Sequence, residues 1–369
     1  MFASSKCCQL GLPAAFCFLV SVIISHAKAQ DNDSSDVTLA THGRSVWSIG
    51  FSPDGKSLAT GGGSDSMRLT IWDLKTGKPK RTIERDYEIC SVAFSRDGAL
   101  IAAGAGKGQL KVWDAQTGEL MADLVGHEDY AFVYCVAFTP SGKELVSTGT
   151  SESIINVWDL EKGRLRTSFH YGLKKEKLEA DRSGVPGGED GPEIIDIDEK
   201  LKTLNGFALS SDGKSFAAAT ESRVIRLRSL TTGKIEREFD TKWESGVKGI
   251  GISPDDTKLV VSAKDTIQVW EMKTAKKRCD LKLKGQLNAT YVIGFSSDSK
   301  TLVTRSTDGN ARVWDLEEQK LKTMVLGEEH EPAHWALAPD GKIGVCVLTS
   351  PSNVWFWDAA TGKRIKGPP

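Results

Sequence analysis

No C-x-x-C pair occurs anywhere in this 369-residue chain, so the zinc-ribbon and dithiol-redox readings that such spacing supports have no footing. Three of the seven cysteines, Cys7, Cys8 and Cys17, fall in the first 29 residues. Cys90, Cys135, Cys279 and Cys346 are scattered through apolar runs, where a small buried hydrophobe is the expected role, and no disulfide is drawn. An excess of charge is missing too. With 48 basic and 49 acidic residues there is no electrostatic ground for a nucleic-acid or anionic-membrane partner. The chain also lacks a long uninterrupted apolar run. Leu10 to Ile24 is the nearest, but it is broken by Pro13 and falls short of the roughly twenty residues a bilayer span needs. No G-x-S-x-G elbow is found.

The first 29 residues contain no acid, carry Lys6 ahead of the apolar stretch, and finish in "AKA" before Gln30. That pattern fits a secretory signal, with an uncleaved anchor as the alternative. The expected mature chain starts near Gln30, holds 46 basic against 49 acidic residues, and is exported to a periplasm or the medium with no stable membrane span. Asn32 in "NDS" and Asn288 in "NAT" would accept a glycan in a eukaryotic secretory pathway. An apolar fraction of 39% leaves ample material for a large core.

The strongest signal is repetition. "IWDLKTGK" at 71–78 returns as "VWDAQTGE", "VWDLEKGR", "VWEMKTAK", "VWDLEEQK" and "FWDAATGK". Trp72, Trp113, Trp158, Trp270, Trp314 and Trp357 are 41, 45, 112, 44 and 43 residues apart. The long gap hides a seventh unit, "VIRLRSLTTGK" at 224–234, with Arg228 in place of Trp. Each unit opens on an alternating apolar run and an Asp-Gly type turn, as in "SVWSIGFSPDGK", and returns at once into a second strand. Four short strands in about 43 residues is the pattern of propeller blades, each too small to bury its own faces until stacked.

On these motifs the chain, over residues 36–366 apart from one insertion, resembles the WD40 repeat family. The resemblance implies an all-β fold, a seven-bladed propeller of four-stranded antiparallel blades. It forms a single domain over 30–369 with a loop insertion at about 171–202. It also implies that the N-terminal segment "DVTLATHG" at 36–43 closes the ring as the last blade's outer strand, because little follows "FWDAATGK". The position of Gly50 is Gly or Ala in every unit, which fits inner strands converging on the axis. Position 49 is always large and apolar, from Ile49 to Trp335, which fits blade-to-blade packing.

The family's structural hydrogen-bonded set of Trp, Ser or Thr, His and Asp maps in the first repeat onto Trp72, Thr60, His42 and Asp65. The third repeat keeps His127 and Trp158 but has Glu152 for the acid, and the sixth keeps Trp314 and Asp308 with Gln286 for His. Together with Trp113, Trp270 and Trp357 these are expected to staple blades of unequal strength.

Two motifs mimic chemistry. Gly50 to Ser57 spells a phosphate-binding loop, but such a loop must open a helix, and this turn leads into another strand. His330 to His334 spells H-E-x-x-H, yet Pro332 opposes a helix, and four residues along a strand span roughly 13 Å, too far for one zinc. No metal, cofactor or catalytic residue is assigned.

The expected binding surface is the face carrying the loops ahead of the inner strands. Its candidate partner-binding residues are Arg44, Tyr87, Tyr130, Phe132, Trp243, Asn288 and His330, since aromatic and Arg side chains dominate interface energetics. The insertion lies on the same face and reads either as a solvated excursion or as the best single candidate for a site; its first half reads as a short charged helix, and its acidic second half has no calcium-loop spacing. The expected function is an exported, non-catalytic platform for a protein or peptide. The alternative is a propeller enzyme or a carbohydrate or small-molecule binder using polar residues around the central channel.

Overall fold

The computed structural model describes residues 46–63, 66–149, 153–171, 192–198, 204–220, 222–244, 246–283, 289–325, 332–348 and 354–365. Alternating apolar residues and tight turns give short antiparallel strands, grouped into seven blades. Blade 1 holds β1 (Val46–Phe51), β2 (Ser57–Gly62), β3 (Arg68–Asp73) and β4 (Pro79–Glu84). Blade 2 holds β5 (Ile89–Phe94), β6 (Leu100–Ala105), β7 (Leu110–Asp114) and β8 (Leu120–Leu124). Blade 3 holds β9 (Val133–Phe138), β10 (Glu144–Gly149), β11 (Ile154–Asp159), β12 (Arg164–Tyr171) and a fifth strand, β13 (Glu193–Asp198). Blade 4 holds β14 (Leu204–Leu209), β15 (Ser215–Thr220), β16 (Val224–Ser229) and β17 (Ile235–Asp240). Blade 5 holds β18 (Gly249–Ile252), β19 (Lys258–Ser262), β20 (Thr266–Glu271) and β21 (Lys277–Lys282). Blade 6 holds β22 (Thr290–Phe295), β23 (Thr301–Ser306), β24 (Ala311–Asp315) and β25 (Lys320–Val325). Blade 7 holds β26 (Pro332–Leu337), β27 (Ile343–Leu348), β28 (Val354–Asp358) and the two-residue β29 (Arg364–Ile365). No helix occurs among the described residues.

The first strand of each blade touches the first strand of the next, from β1 through β5, β9, β14, β18, β22 and β26 back to β1, so the ring closes on its innermost strands. Hydroxyls stitch some of these steps: Ser48 Oγ donates to the Ile89 carbonyl (3.2 Å) and Ser91 Oγ to that of Val133 (2.8 Å). The small residues at the Gly50 position have a measurable reason. A Cβ on Gly50 would stand 3.4 Å from the Val92 carbonyl oxygen, and one on Gly251 3.0 Å from the Phe295 ring. Gly294 has open space instead.

Seven apolar clusters account for the seven seams. Six of them contain a repeat Trp facing the preceding blade. Trp72 joins Val345, Val354 and Phe356; Trp113 joins Leu69 and Ile71; Trp158 joins Leu110 and Val112. Trp270 joins Ile225 and Phe239; Trp314 joins Ile267 and Leu281; Trp357 joins Val303 and Val313. A blade alone cannot bury such a ring, so each blade depends on its neighbour. Trp335 is part of the same packing, its ring edge-on to Trp357 with centroids 5.9 Å apart.

The seam between blades 3 and 4 has no Trp. Phe169 and Phe216 pack with ring centroids 5.0 Å apart, and Ile195 and Ile197 of β13 pack against them. This corrects the solvated reading of the insertion for residues 193–198: "EIIDID" adds parallel to β12, with Ser168 opposite Ile194 and Phe169 opposite Ile195. Arg228, at the missing Trp position, is buried and donates to the carbonyls of Gly233 (2.9 Å) and Ile197 (2.7 Å). The half read as a charged helix lies outside the described residues, as does the proposed closing segment 36–43. At the outer edge of blade 7, β29 pairs only Ile365 with Phe356 and Arg364 with Trp357.

Candidate interaction surface

Alternate turns of each blade fall on opposite faces. On one face lie the turns written "SPDGK" and "WDLKTGK". In the first of these, Asp54 Oδ1 accepts from Ser52 Oγ (2.6 Å) and the Lys56 amide (3.0 Å), with Gly55 at φ 68°. The same geometry recurs at Asp97, Asp212, Asp255 and Asp298. An Asp after the Trp closes the other turn in most blades: Asp73, Asp114 and Asp358 each accept the amide of a Thr three residues on, at 2.9, 2.7 and 2.7 Å. The repeated words therefore encode a seam-filling ring followed by a self-capped turn. Gly50 to Ser57 spans one such turn between β1 and β2 and opens no helix.

The Trp staples are uneven. Trp72, Trp158 and Trp314 donate Nε1–H to Thr60, Ser147 and Thr304 at 2.8, 2.8 and 2.9 Å. His127 Nε2 lies 2.7 Å from the same Ser147 hydroxyl. In blades 2, 5 and 7 the corresponding residues are Ala103, Val261 and Cys346, which offer no hydroxyl. Trp113 instead receives the Arg85 guanidinium over its ring at 5.1 Å, and the indole nitrogens of Trp270 and Trp357 are buried without a hydrogen bond. Asp308 is held by a bidentate ion pair with buried Arg312. His42 and Asp65 lie outside the described residues.

The opposite face carries the loops between blades and those between second and third strands. Of the seven candidate residues, Arg44, Asn288 and His330 lie outside the described residues. Three of the other four come together at blades 2 and 3. The 106–108 loop is clamped from both sides: Gly106 N–H donates to the Glu88 carbonyl (3.0 Å) and Gly108 N–H to that of Ala131 (2.7 Å). A Cβ on Gly106 would lie 3.3 Å from the Phe132 ring, and Lys107 Nζ sits 6.0 Å from the centroid of Tyr87. Tyr87 and Phe132 are half-buried, while Tyr130 is 59% exposed. Trp243 does not join them; it packs against the blade 4–5 cluster with Phe239 and Val247.

Chemically reactive side chains are muted. Burial pushes the Cys135 thiol up to about 12, which leaves no thiolate near neutral pH. The other three described cysteines are also free of disulfides. His334 sits in β26, a strand rather than a helix, and burial together with the Arg305 charge lowers it to about 4. Among the described residues no group of three His, Cys, Asp or Glu side chains could hold a metal ion.

Comparison with known proteins agrees with this architecture. The family pattern described as "WD domain, G-beta repeat" matches residues 34–73, 77–114, 118–159 and 277–315. These stretches reach the Trp of blades 1, 2, 3 and 6, which include all three blades with a Trp–hydroxyl bond. The chain carries WD40 repeats. It is 25% identical over 345 residues to apoptotic protease-activating factor 1 of Rattus norvegicus, covering 86% of this chain and 26% of that protein. It is 25% identical over 323 residues to WD repeat-containing protein WDS homolog of Arabidopsis thaliana, covering 84% and 55%. Over 115 residues it is 36% identical to WD repeat and SOCS box-containing protein 1 of Xenopus tropicalis, covering 30% and 26%. The chain thus spans between about a quarter and about a half of the length of these relatives.

Proposed function

We propose that this chain is an exported, non-catalytic interaction platform that binds a protein or peptide on the loop face of blades 2 and 3. The observation that carries the reading is the grouping of Tyr87, Phe132 and Lys107 around one clamped loop, with exposed Tyr130 two residues before Phe132. Rigid aromatic side chains next to a cation are the groups that dominate binding energy at interfaces, and an exposed tyrosine on the same loop adds to them. WD40 propellers generally act as platforms for protein partners, which supports the same reading. Export rests on the acid-free, apolar first 29 residues.

The test is affinity capture from the native exported fraction with the intact chain, Tyr130→Ala, and a version whose residues 174–190 are replaced by a short Gly-Ser segment. Residues 192–198 must stay, because β13 completes a seam. A partner held by the intact chain and lost with Tyr130→Ala, at unchanged thermal unfolding, supports the reading. A partner retained by Tyr130→Ala but lost by the shortened chain moves the surface to the insertion, and no captured partner overturns the platform.

A further inference from the structure

Blade 6 departs from the other blades at one point of its inner strand. In blades 1, 2, 3, 4 and 7 the register shifts early, at Trp47, Cys90, Tyr134, Asn205 or Ala333. In β22 the bulge sits later, at Ile293. Tyr291 is therefore drawn into register opposite Arg305. A moved bulge re-aims side chains, and here it has two effects. Val292 packs into the seam with blade 5 while Ile293 packs into the seam with blade 7. The Arg305 guanidinium comes to rest over the Tyr291 ring at 4.5 Å.

Arg305 is itself out of place. The equivalent positions, read from the pairing, are Gly61, Gly104, Thr148, Ala219, Ser262 and Val347, all uncharged. At Gly61 and Gly104 a side chain would point at the next blade's innermost strand, against Ile89 and Val133. Arg305 correspondingly faces His334 on β26, whose imidazole is neutral. The guanidinium is largely buried, yet among the described residues it makes no hydrogen bond and no ion pair, and its nitrogens keep contact with solvent. The neighbouring inner strand packs closely here: a Cβ on Gly249 would stand 3.0 Å from Tyr291 Cα.

A largely buried guanidinium without an acceptor is costly to keep, and no described carboxylate neutralises it. The Tyr291 ring holds the guanidinium carbon at 4.5 Å without using its N–H groups as hydrogen-bond donors, and an arginine fork with unused donors can receive a carboxylate through two parallel N–H···O bonds. We infer that Arg305 on β23, held over the Tyr291 ring of the innermost strand, is an anion subsite that takes a carboxylate of a partner peptide. The assignment of the peptide rests on the platform reading; the carboxylate chemistry does not.

The experiment titrates the intact protein, following the Arg305 Nε–Hε resonance, with four probes. These are acetyl-Gly-Glu-Glu-Gly-amide, its Gln-Gln counterpart, sodium acetate and inorganic phosphate. The expected result is a saturable shift with the Glu peptide and a weaker one with acetate. The Gln peptide gives none, and the Glu peptide binds about tenfold more weakly in Arg305→Lys, where the fork is lost. Arg305→Gln, followed by the Tyr291 ring resonances, abolishes the response while keeping or raising the thermal midpoint, because an unneutralised charge has been removed. Equal shifts with both peptides, no saturable response, or binding retained in Arg305→Gln overturns the subsite. Phosphate binding more tightly than the Glu peptide overturns the carboxylate, and acetate matching the peptide overturns the peptide source. Partner capture unchanged by Arg305→Gln leaves the platform standing and separates this subsite from it.

Discussion

Arg228 Nη2 donates to the carbonyl of Ile197 at 2.7 Å, linking the blade that lost its Trp to the strand that replaces it. Ile195 and Ile197 fill the seam and Arg228 anchors the backbone that carries them. Replacing Arg228 by Ala is expected to cost about 2 to 3 kcal/mol, the range for a buried hydrogen bond to a charged donor. Arg228→Trp is not expected to rescue, because the Ile197 carbonyl loses its donor all the same. Urea unfolding midpoints at equal m-value check both.

The uneven staples predict opposite outcomes for two matched substitutions. Thr304→Val removes the acceptor of Trp314 and is expected to destabilise by about 1 to 2 kcal/mol. Val261→Thr offers Trp270 the hydroxyl it lacks and is expected to stabilise by about 0.5 to 1 kcal/mol. Denaturant midpoints of the two variants should move in opposite directions.

Acid should act in two stages. His334 has its pKa lowered to about 4 by burial and by Arg305, so the unfolded chain takes up its proton first. Stability should therefore fall as pH drops from about 6.5 to about 4, and His334→Phe should flatten that window. The turn aspartates Asp54, Asp97, Asp212 and Asp298 are held low chiefly by the Ser hydroxyl two residues before each. At Asp255 burial acts upward, and hydrogen bonds from Ser253 and Thr257 outweigh it. Their contribution is complete above the ordinary carboxylate range and is lost as pH falls below about 4. Equilibrium unfolding between pH 7 and pH 3 measures both stages.

Tyr130 and Trp243 should separate binding from stability. Tyr130→Ala, at a side chain 59% exposed, is expected to leave the thermal midpoint within about 1 °C, as an unremarkable surface change does. Trp243→Ala removes contacts with the blade 4–5 core and is expected to cost about 2 kcal/mol. Partner capture should fail with the first and persist with the second below its melting temperature.

Much of this was legible from residue order because a propeller is written in repeats. The spacing of the six Trp residues, the Arg228 substitution and the self-capped Asp turns are local patterns, each confined to one blade of about 43 residues. Tyr87, Phe132 and Tyr130 were readable as loop residues ahead of inner strands, and Trp243 looked the same although it is core. Arg305 was overlooked inside "TLVTRS"; aligning the second strands would have exposed a charge where other blades carry small or apolar residues.

Sequence by itself determined the blade number, the strand order within each blade and the chemistry of the turns, since these depend on near neighbours along the chain. Tertiary structure decided what depends on distant partners. It placed "EIIDID" in the seam lacking Trp, where its isoleucines pack against Phe169 and Phe216 while its backbone pairs with β12. It also moved the bulge of β22 and so set Tyr291 against Arg305, a matter of register between strands that no single stretch of residues specifies.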